Sequence, residues 1–290
     1  MIPAPFDYHR PATLPEAIAL LRQHGDQAKV LSGGQSLLPL LKLRLGAAGH
    51  LVDIGRIPGL EYIKEEEGFL KIGGRTRESE LERSELIKVK YPILYDTALV
   101  IADPLVRNRA TVGGNLAHAD PANDHPATML ALGAEVTATG ANGARTIPID
   151  RFFTAFFTTA LTPDEILTEI RIPIPPARSG GAYVKLERKV GDFATAAAAV
   201  QLTLAADGRI ERAGIGLTAA GPTPIKAAAA ETFLLTKTPD AAAIAEAARL
   251  AAAATDPTAD RRGAVEYKRE MARVLTARAL NKAIERAGGR

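Results

Sequence analysis

Two pairs of adjacent glycines constrain this chain more than any other feature: Gly33-Gly34 in "LSGGQS" and Gly113-Gly114 in "TVGGN". Adjacent glycines admit positive φ and let another group approach the backbone closely. Residues 28–31 read as a short strand and "LLPLLKLRL" as a helix or helical turn, so the first pair joins a strand to a helix. Successive N–H groups in such a turn converge on an anion, helped by the following helix N-terminus. Each pair has a hydroxyl residue close before it, Ser32 or Thr111, and a polar one after it, Gln35 or Asn115; Ser36 adds a second hydroxyl to the first turn. Neither stretch has the lysine or the spacing of a Rossmann or P-loop fingerprint. Two readings stand side by side: turns required by packing alone, or two halves of a clamp on the diphosphate of a dinucleotide.

The surrounding pattern predicts an α+β architecture. Thr13-Leu-Pro-Glu16 is a capping-box sequence that opens a helix ending near Gly25. Strands are expected at 50–54 and 69–72, then a turn at Gly73-Gly74, a helix from near Thr76 and another from Ile93 to Ala102. "HPATMLALG" reads as a helix, and the run 134–148 as a hairpin turning at Asn142-Gly143. Pro173, Pro175, Pro176 and Gly180-Gly181 mark a linker and a domain boundary near residue 177. Beyond it, Asp207-Gly208 separates two β-rich runs, and Thr238-Pro-Asp240 opens an alanine-rich helix. The basic segment from Tyr267 closes the chain, with Tyr267, Met271, Val274 and Leu275 expected on its buried face and its lysines and arginines in solvent.

A chain of 290 residues with 47% apolar and 24% charged residues suits about two globular domains. No apolar run is long enough to span a bilayer, and the opening lacks a secretory pattern, so a cytoplasmic location is expected, with any membrane association arising through partners. The 36 basic and 33 acidic residues are interspersed and aromatics make up 5%, which argues against a nucleic-acid surface. The chain has no cysteine, which excludes a thiolate nucleophile, a zinc–thiolate site and a cysteine-held iron–sulfur cluster. A redox role therefore requires a bound organic cofactor. His118, Asp120, Asp124 and His125 offer metal-ligand types, but their spacing matches no metal motif, and no metal is expected. His9, His24 and His50 stand isolated in sequence.

The stretches "FDYHRP", "SGGQSLLPLLKLRL", "IADPLVRNRATVGGNLAHADPANDHPA", "EILTEIRIPIPP" and "KLERKVGDFATAAAAV" together carry a resemblance that runs end to end. The chain resembles the FAD-binding medium subunit of molybdenum hydroxylases, the xanthine dehydrogenase family, and within it most closely the aerobic carbon monoxide dehydrogenase type. The resemblance implies a two-part FAD-binding module of the PCMH type over 1–177, with subdomains of about 1–58 and 59–177. A smaller α+β domain with an antiparallel sheet and helices, like the carbon monoxide dehydrogenase flavoprotein C-terminal domain, would follow over 178–290. Ser32, Gly33, Gly34, Gln35 and Ser36 match the first pyrophosphate-binding motif. Thr111, Val112, Gly113, Gly114 and Asn115 match the second. Asp124 matches a cofactor-binding aspartate, and Leu161 and Ile101 match apolar positions lining the flavin site.

Two departures stand out. The related carbon monoxide enzymes carry Ala-Gly-Gly-His-Ser where this chain has Ser32 to Ser36 with Gln35, and a tyrosine where it has Phe193. Phe193 is then a flavin-shielding residue or, on the plainer reading, a core phenylalanine. No residue is expected to act as acid or base on an organic substrate.

The resemblance implies an electron-transfer flavoprotein that works with a small [2Fe-2S] subunit and a large molybdopterin-binding subunit in a dimer of heterotrimers. Electrons would leave to an external acceptor: a quinone, NAD or oxygen. The alternatives are a self-contained FAD-dependent oxidoreductase and a basic module that binds a partner or nucleic acid.

Overall fold

The computed structural model describes residues 2–288. Its first body is a three-stranded parallel sheet in the order β1 (Asp7–His9), β3 (His50–Asp53), β2 (Ala28–Leu31). Helix α1 (Leu14–His24) crosses between β1 and β2, and α2 (Leu37–Lys42) lies between β2 and β3. Thr13 and Glu16 form the reciprocal capping box expected of the sequence, a device worth about 1 kcal/mol. Ala17, Ile18 and Leu21 of α1 share a core with Val52 and Ile54. Parallel strands need such a crossover, and the helix that makes it supplies the core.

The second body is built on an antiparallel sheet, β4 (Ile63–Glu66), β5 (Phe69–Gly73), β10 (Ile166–Pro173), β6 (Glu135–Gly140) and β7 (Gly143–Pro148), in that spatial order. Between β5 and β6 run α3 (Glu78–Arg83), α4 (Glu85–Lys90), α5 (Pro92–Val100), α6 (Pro104–Arg107), α7 (Val112–His118) and α8 (Asp124–Leu132). A small hairpin, β8 (Phe153–Ala155) and β9 (Thr158–Thr159), lies before β10. Gly140 pairs with Gly143, so the β6–β7 loop is Ala141-Asn142, one residue earlier than Asn142-Gly143. Gly143, with φ +100°, takes the positive dihedral at the first paired position.

The third body is an antiparallel sheet of β11 (Ser179–Leu186), β12 (Ala196–Leu204), β13 (Ile210–Thr218) and β14 (Ile225–Lys226). It carries α9 (Ala228–Leu234), α10 (Ala241–Ala253) and α11 (Val265–Ala287). Asp240 caps α10 by accepting from Ala243 N–H at 2.8 Å.

Three expectations are corrected here. Gly180 and Gly181 belong to strand β11 and not to a linker; a Cβ on Gly180 would meet Ala283 O of α11 at 2.1 Å. The buried face of α11 consists of Lys268, Ala272, Leu275, Thr276, Ala279, Leu280, Ala283 and Ala287. Tyr267 is exposed, and of the four residues expected on that face only Leu275 is buried. At its C-terminal end the helix lies almost on the backbone of β11, where Ala283 and Ala287 face Gly180.

The basic residues of α11 are also not a uniformly solvated face. Arg286 Nη1 and Nη2 donate to Asp96 of α5 at 2.7 and 3.0 Å, and Nη1 donates to Gly181 O at 2.6 Å. Lys282 Nζ adds a 3.0 Å contact to the same carboxylate. The segment's last residues, 289–290, lie outside the described residues. Among the described residues no helix is long and apolar enough to cross a membrane.

Candidate flavin-binding site

Strand β2 delivers the chain to Ser32, and Thr111 caps α7 through a 3.2 Å bond from Gly114 N–H to its Oγ1. The Ser32 and Thr111 hydroxyls lie 3.1 Å apart, so the two glycine-bearing turns meet face to face. Their backbones touch as well. A Cβ on Gly33 would sit 2.2 Å from Arg109 O and 2.8 Å from Ala110 Cα. Gly113 packs on a third glycine pair, since its Cβ would meet Gly74 O at 2.3 Å. Gly34 takes φ +75°, which L residues rarely adopt. Gly33 and Gly113 are thus bare because protein backbone passes close to them.

The donors around those glycines remain available. The N–H groups of Gly33, Gly34, Gln35, Ser36 and Gly113 donate to no acceptor among the described residues. Asn115 holds Asn123 through its carbonyl, which accepts from Asn123 Nδ2 at 2.9 Å, while its own Oδ1 is buried with no hydrogen-bond partner. Buried polar groups are nearly always paired, so this atom and the free N–H groups mark a place shaped for a polar ligand. Val112 is fully buried beneath it, and Gln35 is exposed at its rim.

Asp124 opens α8, and both of its carboxylate oxygens are engaged. Tyr183 OH donates to Oδ1 at 2.6 Å and Lys185 Nζ to Oδ2 at 3.1 Å. Tyr183 and Lys185 are two apart on β11 and so share a face, the period-two signal by which they could have been found from sequence. Lys185 Nζ also donates to Val100 O at 2.9 Å. Burial pushes the Asp124 carboxyl up from its ordinary range, while the Lys185 charge and the Tyr183 hydroxyl pull it back. An ionised carboxylate can accept further hydrogen bonds beyond these two.

Ile101 is buried at the end of α5, and Arg107 Nη1 donates to its carbonyl at 3.0 Å. The loop after β11 lies against this segment, for a Cβ on Gly191 would meet Ala102 O at 2.7 Å. Phe193 in that loop is 47% exposed, which removes the reading of a core phenylalanine. Leu161 follows β9, which packs beside α7, and is half-buried against the second body's core. The four residues with metal-ligand types after the second motif do not gather. His118 lies against the Phe157 ring with centroids 5.0 Å apart, whereas His125 is fully buried with Nε2 2.6 Å from Glu78 Oε2. Glu78, which sequence reasoning passed over, also donates its N–H to Ala110 O, just before the second turn.

Known proteins similar to this chain in sequence and fold supply the context for that geometry. Residues 4–175 match the family model described as the FAD binding domain in molybdopterin dehydrogenase, and residues 181–283 match the CO dehydrogenase flavoprotein C-terminal domain. The chain is 45% identical to a carbon monoxide dehydrogenase medium chain of Afipia carboxidovorans, over 99% of each chain. It is 39% identical to the 6-hydroxypseudooxynicotine dehydrogenase complex subunit alpha of Paenarthrobacter nicotinovorans, over 99% of this chain and 97% of that one. A solved structure of carbon monoxide dehydrogenase from Hydrogenophaga pseudoflava superposes with a TM-score of 0.96 at 46% identity, covering 99% of each chain.

Proposed function

The chain belongs to the family of FAD-binding proteins of the molybdopterin dehydrogenases, and from that membership we propose that it is the FAD-binding, electron-transferring subunit of a molybdenum hydroxylase complex. The observation that carries the reading is the meeting of Ser32 and Thr111, which brings two sets of free backbone donors to one place. Bound there, FAD supplies the exchange between single electrons delivered by iron–sulfur centres and electron pairs taken by an external acceptor, a quinone, NAD or oxygen.

The chain's own residues bind and orient. The N–H groups of Gly33, Gly34, Gln35, Ser36 and Gly113 hold the diphosphate without a lysine, with the hydroxyls of Ser32, Ser36 and Thr111 beside them. Asn115 Oδ1 accepts a hydrogen bond from the cofactor, Asp124 accepts another beside Tyr183 and Lys185, and Gly114 leaves room for the Thr111 hydroxyl that caps α7. Val112 supports the second turn from beneath. Ile101 and Leu161 line the site, keeping water from the isoalloxazine, and Phe193 covers one of its faces.

Partners follow from the same reading: a small [2Fe-2S] subunit and a large molybdopterin-binding subunit in a dimer of heterotrimers. With no cysteine in the chain, the clusters belong on another polypeptide. Three apolar cores support a division into 1–177, with subdomains near 1–58 and 59–177, and 178–290, with Leu60 and Ile166 packing into the first core and Tyr183, Ala194, Ala197 and Ala199 into the second across those boundaries.

Co-expression with an iron–sulfur and a molybdopterin subunit tests the proposal. One FAD per chain in a complex containing molybdenum and iron is expected. A complex containing molybdenum and iron but no FAD would sink it, and a flavin-loaded chain that never associates with those partners would point instead to a self-contained oxidoreductase.

A further inference from the structure

Three of the chain's five histidines, isolated in sequence, come together in the first body. His9 ends β1, His24 ends α1 and His50 begins β3. In the parallel register His9 is level with Val52, so His9, His50 and Val52 lie on one face of the sheet. Val52 packs against α1, and the last residue of that helix hangs His24 over the same face. Sequence reasoning missed this grouping because it depends on a crossover, not on spacing.

We propose that His9, His24 and His50 form a binding site for a divalent transition metal of the zinc type, separate from the flavin clamp. One ligand nitrogen from each ring can be chosen so that all lie within 4.8 Å of one another. His9 Nε2 and His50 Nδ1 are 3.1 Å apart, and the His24 and His50 rings stack with centroids 3.6 Å apart. A tetrahedral zinc with bonds of about 2.0–2.1 Å holds its nitrogens roughly 3.3 Å from one another. One pair already has that spacing, and modest side-chain rotation closes the rest. Asp7 Oδ2, 3.5 Å from His50 Nδ1, is within reach as a fourth ligand.

The ligand chemistry narrows the ion. Three imidazoles, a single carboxylate and no thiolate suit zinc, copper or nickel and not magnesium or calcium. Neutral imidazole is the form that binds metal. The His24 ring has no hydrogen-bond partner among the described residues. An ion here would tie the end of α1 to β1 and β3, at the opposite end of β2 from Ser32.

Zinc binding by the untagged full-length chain, freed of metal by a chelator, decides the matter. Titration against a chromophoric chelator at pH 7.5 is expected to show one tightly held zinc per chain, and X-ray absorption to show at least three imidazole nitrogens at about 2.0–2.1 Å. His24→Ala and His9→Asn are each expected to abolish that one-to-one binding while the metal-free variants keep the wild-type circular dichroism and flavin content. Absence of a stoichiometric zinc complex, or binding unchanged in both variants, overturns the proposal. The flavin reading is unaffected either way, because FAD is measured separately in the same samples.

Discussion

Ser32 Oγ and Thr111 Oγ1 lie 3.1 Å apart although 79 residues separate them in sequence. Thr111 serves twice, since its Oγ1 also accepts the Gly114 N–H that starts α7. Thr111→Ala therefore removes a helix cap and the link between the turns. A stability loss of about 1–2 kcal/mol in urea unfolding is expected, together with weaker retention of FAD. Thr111→Ser keeps the hydroxyl and restores both. Full FAD retention in the alanine variant would show that the hydroxyl link is not needed to hold the turns together.

Gly33 and Gly59 offer a paired test of why a glycine is present. A Cβ at Gly33 collides with the Arg109 carbonyl, whereas Gly59, at φ +77°, has nothing within 4 Å of the added atom. Gly59→Ala bears only the left-handed backbone cost, about 1–2 kcal/mol, with flavin content unchanged. Gly33→Ala must push the two turns apart and is expected to lose FAD as well as stability. Equal flavin content in the two purified variants would contradict that assignment.

Local signals were legible in the sequence and long-range ones were not. Thr13 with Glu16, Asp240 and the Asp207-Gly208 loop act on neighbouring backbone, and each sits where its residue type predicts. The contact of Arg286 with Asp96 spans 190 residues, and nothing near either residue announces it. The buried stripe of α11 was misread for a related reason. Hydrophobicity favours Tyr267 and Val274, but the sheet sets which face of the helix packs, and it brings Ala283 and Ala287 against Gly180. At the clamp, the motifs pointed to the right turns, while their meeting, and the Tyr183 and Lys185 groups on Asp124, required the fold.

That Arg286–Asp96 contact is expected to hold the third body to α5. Arg286→Met leaves Asp96, whose side chain is 11% exposed, with Lys282 as its remaining basic partner. A loss of about 2 kcal/mol is expected, in the range of hydrogen bonds to charged groups. A double-mutant cycle with Asp96→Asn should return a coupling of similar size. Additive effects would mean that the pair contributes little and that the helix is held by its alanine face alone.

Lys185 and Asp124 form an enclosed ion pair at the site, with side chains 2% and 8% exposed. Lys185→Met strands the carboxylate and is expected to cost about 3–5 kcal/mol near neutral pH. The pH dependence has a definite sign. Burial already raises the folded-state Asp124 above its ordinary value, and loss of the lysine raises it further. The folded variant then binds a proton that the unfolded chain has released, so stability falls as pH rises through that window. The gap between variant and wild type should therefore narrow between pH 8 and pH 5. A gap that stays constant or widens on acidification would exclude the stranded charge as the cause.

Phe193 separates a packing role from a cofactor role because it is 47% exposed in a loop steadied by Gly191 against Ala102. Truncating an exposed side chain away from caps and networks usually changes stability by no more than about 0.5 kcal/mol. Phe193→Ala should accordingly unfold at the same urea concentration as the wild type. If the ring covers one face of the flavin, the same variant alters the flavin absorption envelope and the rate of reoxidation by an added acceptor. Phe193→Tyr keeps the aromatic body and adds a hydroxyl, so its spectrum should shift less than that of the alanine variant while its reoxidation rate changes. Identical spectra and reoxidation rates in all three proteins would place Phe193 outside the flavin's surroundings and leave its exposure to be explained by a partner subunit.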